Sequence, residues 1–294
     1  MKFEKVGLMT PGDMGQAVGM QIKARGFTVC TALDHRSERS RALGREVGLI
    51  DLGSITRLIE QCDVVLSVMN PGAAPDFVAE AAAALRATKR NTLIVDCNAV
   101  APDTAHQMAA TITQAGGRYI DGGIIGPPPR GTATTNLYVS GPGAAELEQL
   151  AGPQMNIIVV SDRVGDASAL KMCFAAINKG TQLLWLDILI AARRLGVDEL
   201  LEKQLRQNPA NVVDAVVGVL PMLPPKAYRW VPEMQEIAKT LGSAAITSKV
   251  FEGAADICAF VAANPLGKES PENRDKNRSG HDVVKILASG LPAK

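Results

Sequence analysis

Two stretches carry residue types able to do redox chemistry on a nucleotide. The first is Thr10-Pro11-Gly12-Asp13-Met14-Gly15. Gly12 lets a backbone approach a pyrophosphate, and a helix start behind it offers free N–H groups and a positive dipole end. Gly15 lets helix and strand pack closely. Thr10 stands where a G-x-G-x-x-G turn has its first glycine, and its hydroxyl is expected to cap the helix or touch phosphate. An ordinary strand–turn–helix with two glycines is the alternative. The second stretch is Gly165-Asp166-Ala167-Ser168-Ala169-Leu170-Lys171, continuing into Met172-Cys173-Phe174. A lysine among such neighbours is desolvated, which lowers its pKa toward the working range of a general acid. Hydride reduction of a carbonyl needs a proton on the oxygen, and the reverse reaction needs one removed. A lysine snorkelling off a buried helix is the other reading of Lys171.

These residues need elements to position them. Phe3–Met9 and Phe27–Leu33 read as strands around a helix at Gln16–Arg25 stopped by Gly26, the βαβ unit that opens a dinucleotide-binding sheet. After the second strand comes Asp34-His35-Arg36-Ser37-Glu38-Arg39. An acidic residue there favours a free ribose 2′-hydroxyl, and arginines favour a 2′-phosphate. Arg36, Ser37 and Arg39 can bracket a dianion, so the balance leans to NADP over NAD. A solvated charged loop is the alternative.

Further strands are expected at Asp63–Met69, Thr92–Cys97, Gly117–Asp121, Leu137–Ser140 and Ile157–Ser161. Helices are expected between them at Ser40–Val47, Ser54–Gln61, Ala74–Ala87, Asp103–Ala115 and Gly143–Gln149. Strict alternation implies an α/β fold, a doubly wound and mostly parallel sheet of Rossmann type. From Ala167 to Leu195 the chain is apolar all round, so a long buried helix is expected, between domains or subunits. Helices follow at Asp198–Gln207, Ala210–Leu220, Trp230–Leu241 and Ala244–Ala263, broken by Pro209, Pro221 and Pro224-Pro225. The charged stretch from Asn264 onward reads as an extended surface tail. Residues 1–163 are thus the expected Rossmann domain, and 164–294 an all-α domain for substrate binding and dimerisation.

With 294 residues, 47% of them hydrophobic, the chain can build a large core, and a net charge of +1 argues against nucleic-acid or membrane-surface partners. Cys30, Cys62, Cys97, Cys173 and Cys258 form no C-x-x-C and read as buried free thiols in a reducing compartment. Three dispersed histidines give no metal-ligand spacing. No signal peptide or spanning run is read, so a soluble, cytoplasmic protein is expected.

In this order, the βαβ start, the strand ending at Asp63–Pro71, the Asp96–Pro102 loop, the Asp121–Pro127 loop and the Lys171 helix resemble the β-hydroxyacid dehydrogenase family. The resemblance runs the whole length of the chain. Leu170–Ala176, Lys179-Gly180 and Arg229–Ile237 look like a subgroup with a phosphogluconate dehydrogenase-like helical second domain. The resemblance implies a catalytic role for Lys171 and a homodimer interlaced through the helical domain. It implies cofactor contacts from Thr10, Pro11, Gly12, Asp13, Met14, Gly15, Arg36, Ser37, Met69, Asn70 and Asn98. On the substrate side it implies Gly123, Ile125 and Gly126.

There are departures. The family's Asp-x-Pro-Val-Ser-Gly-Gly, whose serine and glycine N–H groups hold a substrate carboxylate, here reads Asp121-Gly122-Gly123-Ile124-Ile125-Gly126-Pro127. Ile125 has no hydroxyl and Pro127 no N–H, which weakens that cradle. Phe174 and Ala175 replace a pair of asparagines, and Asn178, one heptad beyond Lys171, is a candidate substitute or a structural hydrogen-bonder. Asn98 replaces a Ser or Thr on the nicotinamide side. Lys226 and Arg229 are candidate cations for substrate, and Arg229 beside Trp230 reads equally as a surface cation–π pair. The function expected is NAD(P)-dependent hydride transfer between a small hydroxy acid or alcohol and its aldehyde or ketone. Imine reduction is one alternative, disfavoured because imine-reducing relatives of this fold generally lack the lysine. A non-catalytic dinucleotide-binding regulator is another.

Overall fold

The computed structural model describes residues 2–207 and 212–291. The chain divides into two compact units, Met1–Met172 and Cys173–Lys294. The first unit alternates strand and helix. Its strands are β1 (Lys5–Met9), β2 (Thr28–Thr31), β3 (Ile50–Asp51), β4 (Val64–Ser67), β5 (Leu93–Asp96), β6 (Arg118–Ile125), β7 (Thr135–Ser140) and β8 (Met155–Ser161). They form one sheet in the order β3-β2-β1-β4-β5-β6-β7-β8. Every neighbouring pair is parallel except β6 and β7. The order reverses at β1, and in such sheets the crevice beyond that reversal is where ligands bind.

Helices α1 (Asp13–Ala24), α2 (Glu38–Glu46), α3 (Ile55–Gln61), α4 (Ala74–Thr88) and α5 (Pro102–Gln114) cover the sheet. β4 and β5 are buried at every position, as strands covered on both faces must be. One face packs Leu58, Ile59, Phe77, Leu85, Ile94 and Ile112, the other Val6, Leu8, Val18, Ile22, Val95 and Ile120. Each such side chain contributes about 1.5–3 kcal/mol by leaving water.

Differences from expectation have local causes. α2 starts at Glu38 because the Ser37 side chain accepts the Ser40 N–H. β3 is two exposed residues and carries no periodicity to read. β6 runs on past Asp121 to Ile125 because Gly122 to Ile125 pair with β7.

The long helix, α6, spans Asp166–Leu195, and the two units divide inside it rather than at 163/164. Its first turns are tied to the sheet, as described below. Beyond them Phe174, Ile177, Leu184, Ile188 and Leu195 stand exposed in the single chain, so one face of the expected buried helix is uncovered.

The second unit continues with α7 (Asp198–Leu205), α8 (Val212–Val219), α9 (Ala227–Ser243), α10 (Lys249–Ala263) and α11 (Gly280–Ser289). Pro209 and Ala210, expected as a helix break and start, lie outside the described residues. Trp230, Met234 and Ile237 of α9 and Phe251, Ala254, Cys258 and Val261 of α10 are buried at helical spacing, and the two helices pack together. α10 starts at Lys249 rather than Ala244, because Ala245 takes φ +57 and ends the helical path. The expected extended tail is instead helical at its end. Ser279 and Asp282 form a capping box, and Val283, Val284 and Leu287 bury one face of α11. A Cβ at Gly280 would lie 2.1 Å from the Val217 carbonyl, so α11 sits hard against α8. Cys173 is exposed, whereas the other four cysteines are buried and all five are free. Among the described residues no helix is long and apolar enough to cross a membrane.

Candidate dinucleotide site and active site

β1 delivers the chain into the glycine turn. Thr10 N–H donates to Val68 O at 3.0 Å, and Gly12 N–H to Thr10 O at 2.8 Å. α1 then opens at Asp13 with Gly12 as its N-cap and no side chain capping it. Its first N–H groups thus have no intrahelical partner to take them, the arrangement that receives anions. A Cβ at Gly15 would lie 2.0 Å from Thr10 O, whereas one at Gly12 would meet nothing within 4 Å. Gly15 is therefore required by packing, and Gly12 faces open space. Thr10 does not cap the helix as expected: its hydroxyl faces the Val68 carbonyl at 3.5 Å. Pro11 is buried beside Gly44, and Met14 packs on the core, so both leave the turn's backbone to face outward contacts. Asp13 is held by an ion pair with Arg130 at 2.8 Å, a residue the sequence reading did not single out.

Where β2 ends, a cavity of about 650 Å³ is lined by Asp34, His35, Arg36, Gly53, Ser54 and Thr56, among others. The Nε of Arg36 is buried and has no hydrogen-bond partner among the described residues. That orphaned donor beside a cavity suits an anionic acceptor. Ser37 is occupied as the cap of α2, accepting from Ser40 N–H at 3.3 Å.

At the ends of β4 and β5, Asn98 is 3% exposed and its side chain is spent internally. Its Oδ1 accepts Met69 N–H at 2.6 Å, and its Nδ2 donates to Ser67 Oγ at 2.8 Å and Asp96 Oδ1 at 2.6 Å. Asn98 thus sets the backbone at Met69. Asn70 caps the short turn that follows, accepting Gly72 N–H at 3.1 Å.

Asp96 and Asp121 are register partners on β5 and β6, both fully buried. Burial pushes Asp96 up to about 7; bonds from Asn98 oppose this, and the Asp121 charge adds to it. Burial also raises Asp121, against bonds from Ser168, Ser140 and Gly165. Asp121 Oδ2 accepts from Ser140 Oγ at 3.0 Å, Gly165 N–H at 3.0 Å and Ser168 N–H at 2.9 Å, and Oδ1 accepts from Ser168 Oγ at 2.6 Å. Ser140 Oγ accepts Ala167 N–H at 2.9 Å. The orphan N–H groups that begin α6 are taken up by these two side chains of the sheet.

The next turn of α6 brings half-buried Lys171 over β6. A Cβ at Gly123 would lie 2.9 Å from Lys171 Cβ and 3.2 Å from Ala167 O, so glycine there permits the contact. Just beyond, Gly126 has φ +135, and Ile125 O accepts Thr135 Oγ1 at 3.2 Å. Gly123 and Lys171 are therefore adjacent, with Ile125 and Gly126 next along the strand.

Asn178 and Arg229 belong to the second unit. Asn178 is exposed and accepts from Gln182 Nε2 at 3.2 Å. Arg229 lies over the Tyr228 ring at 5.9 Å, not over Trp230. Trp230 is buried and instead receives Lys179 Nζ at 5.2 Å from its centroid.

A family model described as the NAD binding domain of 6-phosphogluconate dehydrogenase matches residues 5–152. The chain belongs to the β-hydroxyacid dehydrogenase family. A second model, a domain of unknown function (DUF1932), matches residues 192–261. Among solved structures, a conserved hypothetical protein from Sinorhizobium meliloti is 25% identical with a TM-score of 0.65, covering 99% of this chain and 97% of that one. The 3-hydroxyisobutyrate dehydrogenase of Mycobacterium tuberculosis, solved with L-serine, shares the fold at 17% identity, with a TM-score of 0.68 over 97% and 99% of the two chains. A variant imine reductase from Myxococcus stipitatus, in complex with NAD+, shares it at 20% identity, with a TM-score of 0.54 over 98% and 100%.

Proposed function

We propose that this β-hydroxyacid dehydrogenase family member transfers a hydride between NADP or NAD and a small hydroxy acid or alcohol, or the matching aldehyde or ketone, with Lys171 as general acid and base. The observation that carries the reading is the placement of Lys171 directly over Gly123, at the end of β6. A bound nicotinamide supplies or accepts the hydride. The open cap at Gly12 and the close-packed Gly15 fit its diphosphate. Lys171 delivers a proton to the substrate oxygen in reduction and removes it in oxidation. Asp121 and Ser140 fix the first turn of α6, which holds the lysine's Cα against β6 and limits misplacement of its amine. The sequence Gly126-Pro127-Pro128-Pro129 offers few N–H donors, which supports a substrate gripped less by a carboxylate at this loop.

Support for NADP comes from the Nε of Arg36, which has no partner among the described residues; Asp34 on the same cavity opposes it. A second copy of the chain is the proposed partner. Leu170, Phe174, Ile177, Leu184 and Ile188 are exposed along α6 at spacings of a helix–helix seam, and such a stripe calls for a cover. Five free cysteines support a reducing, cytoplasmic setting.

The test is turnover on a panel of hydroxy acids, alcohols, aldehydes and cyclic imines with NADP(H) and NAD(H). Activity on alcohols or carbonyls that vanishes in Lys171→Met, with cofactor binding retained, is the expected result. Turnover of imines alone, or cofactor binding without any turnover, would replace this reading.

A further inference from the structure

Arg130 lies in the turn between β6 and β7, remote in sequence from α1, yet its guanidinium is bound to the first turn of that helix. Nη1 donates to Asp13 Oδ1 at 2.8 Å, and Nη2 to Asp13 O at 2.6 Å and to Gln16 Oε1 at 2.7 Å. Gln16 is 4% exposed and is itself fixed by Glu46, to which its Nε2 donates at 2.9 Å. The same turn is tied to α1 again where Gln21 Nε2 donates to Pro129 O at 3.2 Å.

Asp13 creates an electrostatic conflict. A carboxylate in the first turn favours the helix dipole, but it repels any other anion brought to the same end. We infer that Arg130 is a positioning residue of the cofactor site: it neutralises Asp13 and holds it on the flank shared with Gln16, leaving the α1 N-terminus able to take a diphosphate. This rests on the reading of that terminus as the diphosphate site. It gives the β6–β7 turn a role in cofactor binding that its sequence, departing from the family's anion cradle, does not advertise.

The test is calorimetric titration of the full chain with ADP and with adenosine, alongside NADPH binding by fluorescence. Arg130→Met should weaken ADP and NADPH about three- to tenfold, the effect of one uncompensated charge several ångströms from the phosphates. Adenosine affinity should stay unchanged. Adding Asp13→Asn to Arg130→Met should restore ADP affinity to within about twofold, because the two groups act as a pair. Asp13→Asn alone keeps the arginine and should tighten ADP. Unchanged ADP affinity in Arg130→Met, an equal loss for adenosine, failure of Asp13→Asn to rescue, or weaker ADP binding in Asp13→Asn alone would overturn the inference. If Arg130→Met fails to fold, the Asp13→Asn result decides. Wild-type protein that binds neither ADP nor NADPH would instead overturn the cofactor reading beneath it.

Discussion

The carboxylate of Asp121 accepts both the backbone N–H and the hydroxyl of Ser168, at 2.9 and 2.6 Å, and so fastens the start of α6 to the middle of β6. Three residues beyond Ser168 stands Lys171. The network that stabilises the helix start therefore lies one turn before the proposed catalytic lysine.

Ser168→Ala removes one donor to a buried carboxylate. A loss of about 1.5–3 kcal/mol in stability is expected, because hydrogen bonds to charged groups are the stronger kind. Urea denaturation measures it. If the network also sets Lys171, kcat falls while NADPH affinity holds.

Gly123→Ala places a methyl group 2.9 Å from Lys171 Cβ, closer than carbon atoms pack. Strand or helix must shift, and a misplacement of the acid/base group of this kind costs on the order of 10²-fold in kcat. Steady-state kinetics with parallel cofactor titration separates this from loss of binding.

Burial pushes the Asp96 carboxyl up to about 7, well above the usual carboxylate range. The native state then holds a proton that the unfolded chain has lost, so this group's contribution to stability declines as pH rises from about 4 to 7. Asp96→Asn should flatten that part of the profile. Chemical denaturation of both proteins across pH 5–8 gives the difference directly, and parallel profiles would contradict the buried, protonated assignment.

Arg36→Ala removes the guanidinium whose Nε has no partner among the described residues. Discrimination between NADPH and NADH should fall by about tenfold or more, as for a lost charge-assisted contact to phosphate. Equal losses for both cofactors would assign Arg36 to the fold instead.

Much of the α/β unit was legible because its signals are local. The runs that became β4 and β5 are apolar but for their last residues, Ser67 and Asp96, and Gly12 and Gly15 stand in a turn marked by residue type and spacing alone. What was not legible joins distant positions. Nothing local ties Asp121 to Ser168 or Arg130 to Asp13, because side chains that far apart in sequence meet only once the sheet is built. Asn98 looked like an open polar contact, and only the fold shows its amide consumed between Ser67, Asp96 and Met69. The α11 helix is a different case. Its capping box and the Val283-Val284-Leu287 face were present in the sequence, masked by the charged residues that precede them.

The most direct test is the distance from Lys171 Nζ to the nicotinamide C4 in a crystal structure with cofactor bound. A substrate oxygen must fit between them, so a separation of about 4–7 Å is expected. An amine more than about 10 Å away, beyond proton transfer even through one water, would contradict the proposed role of Lys171.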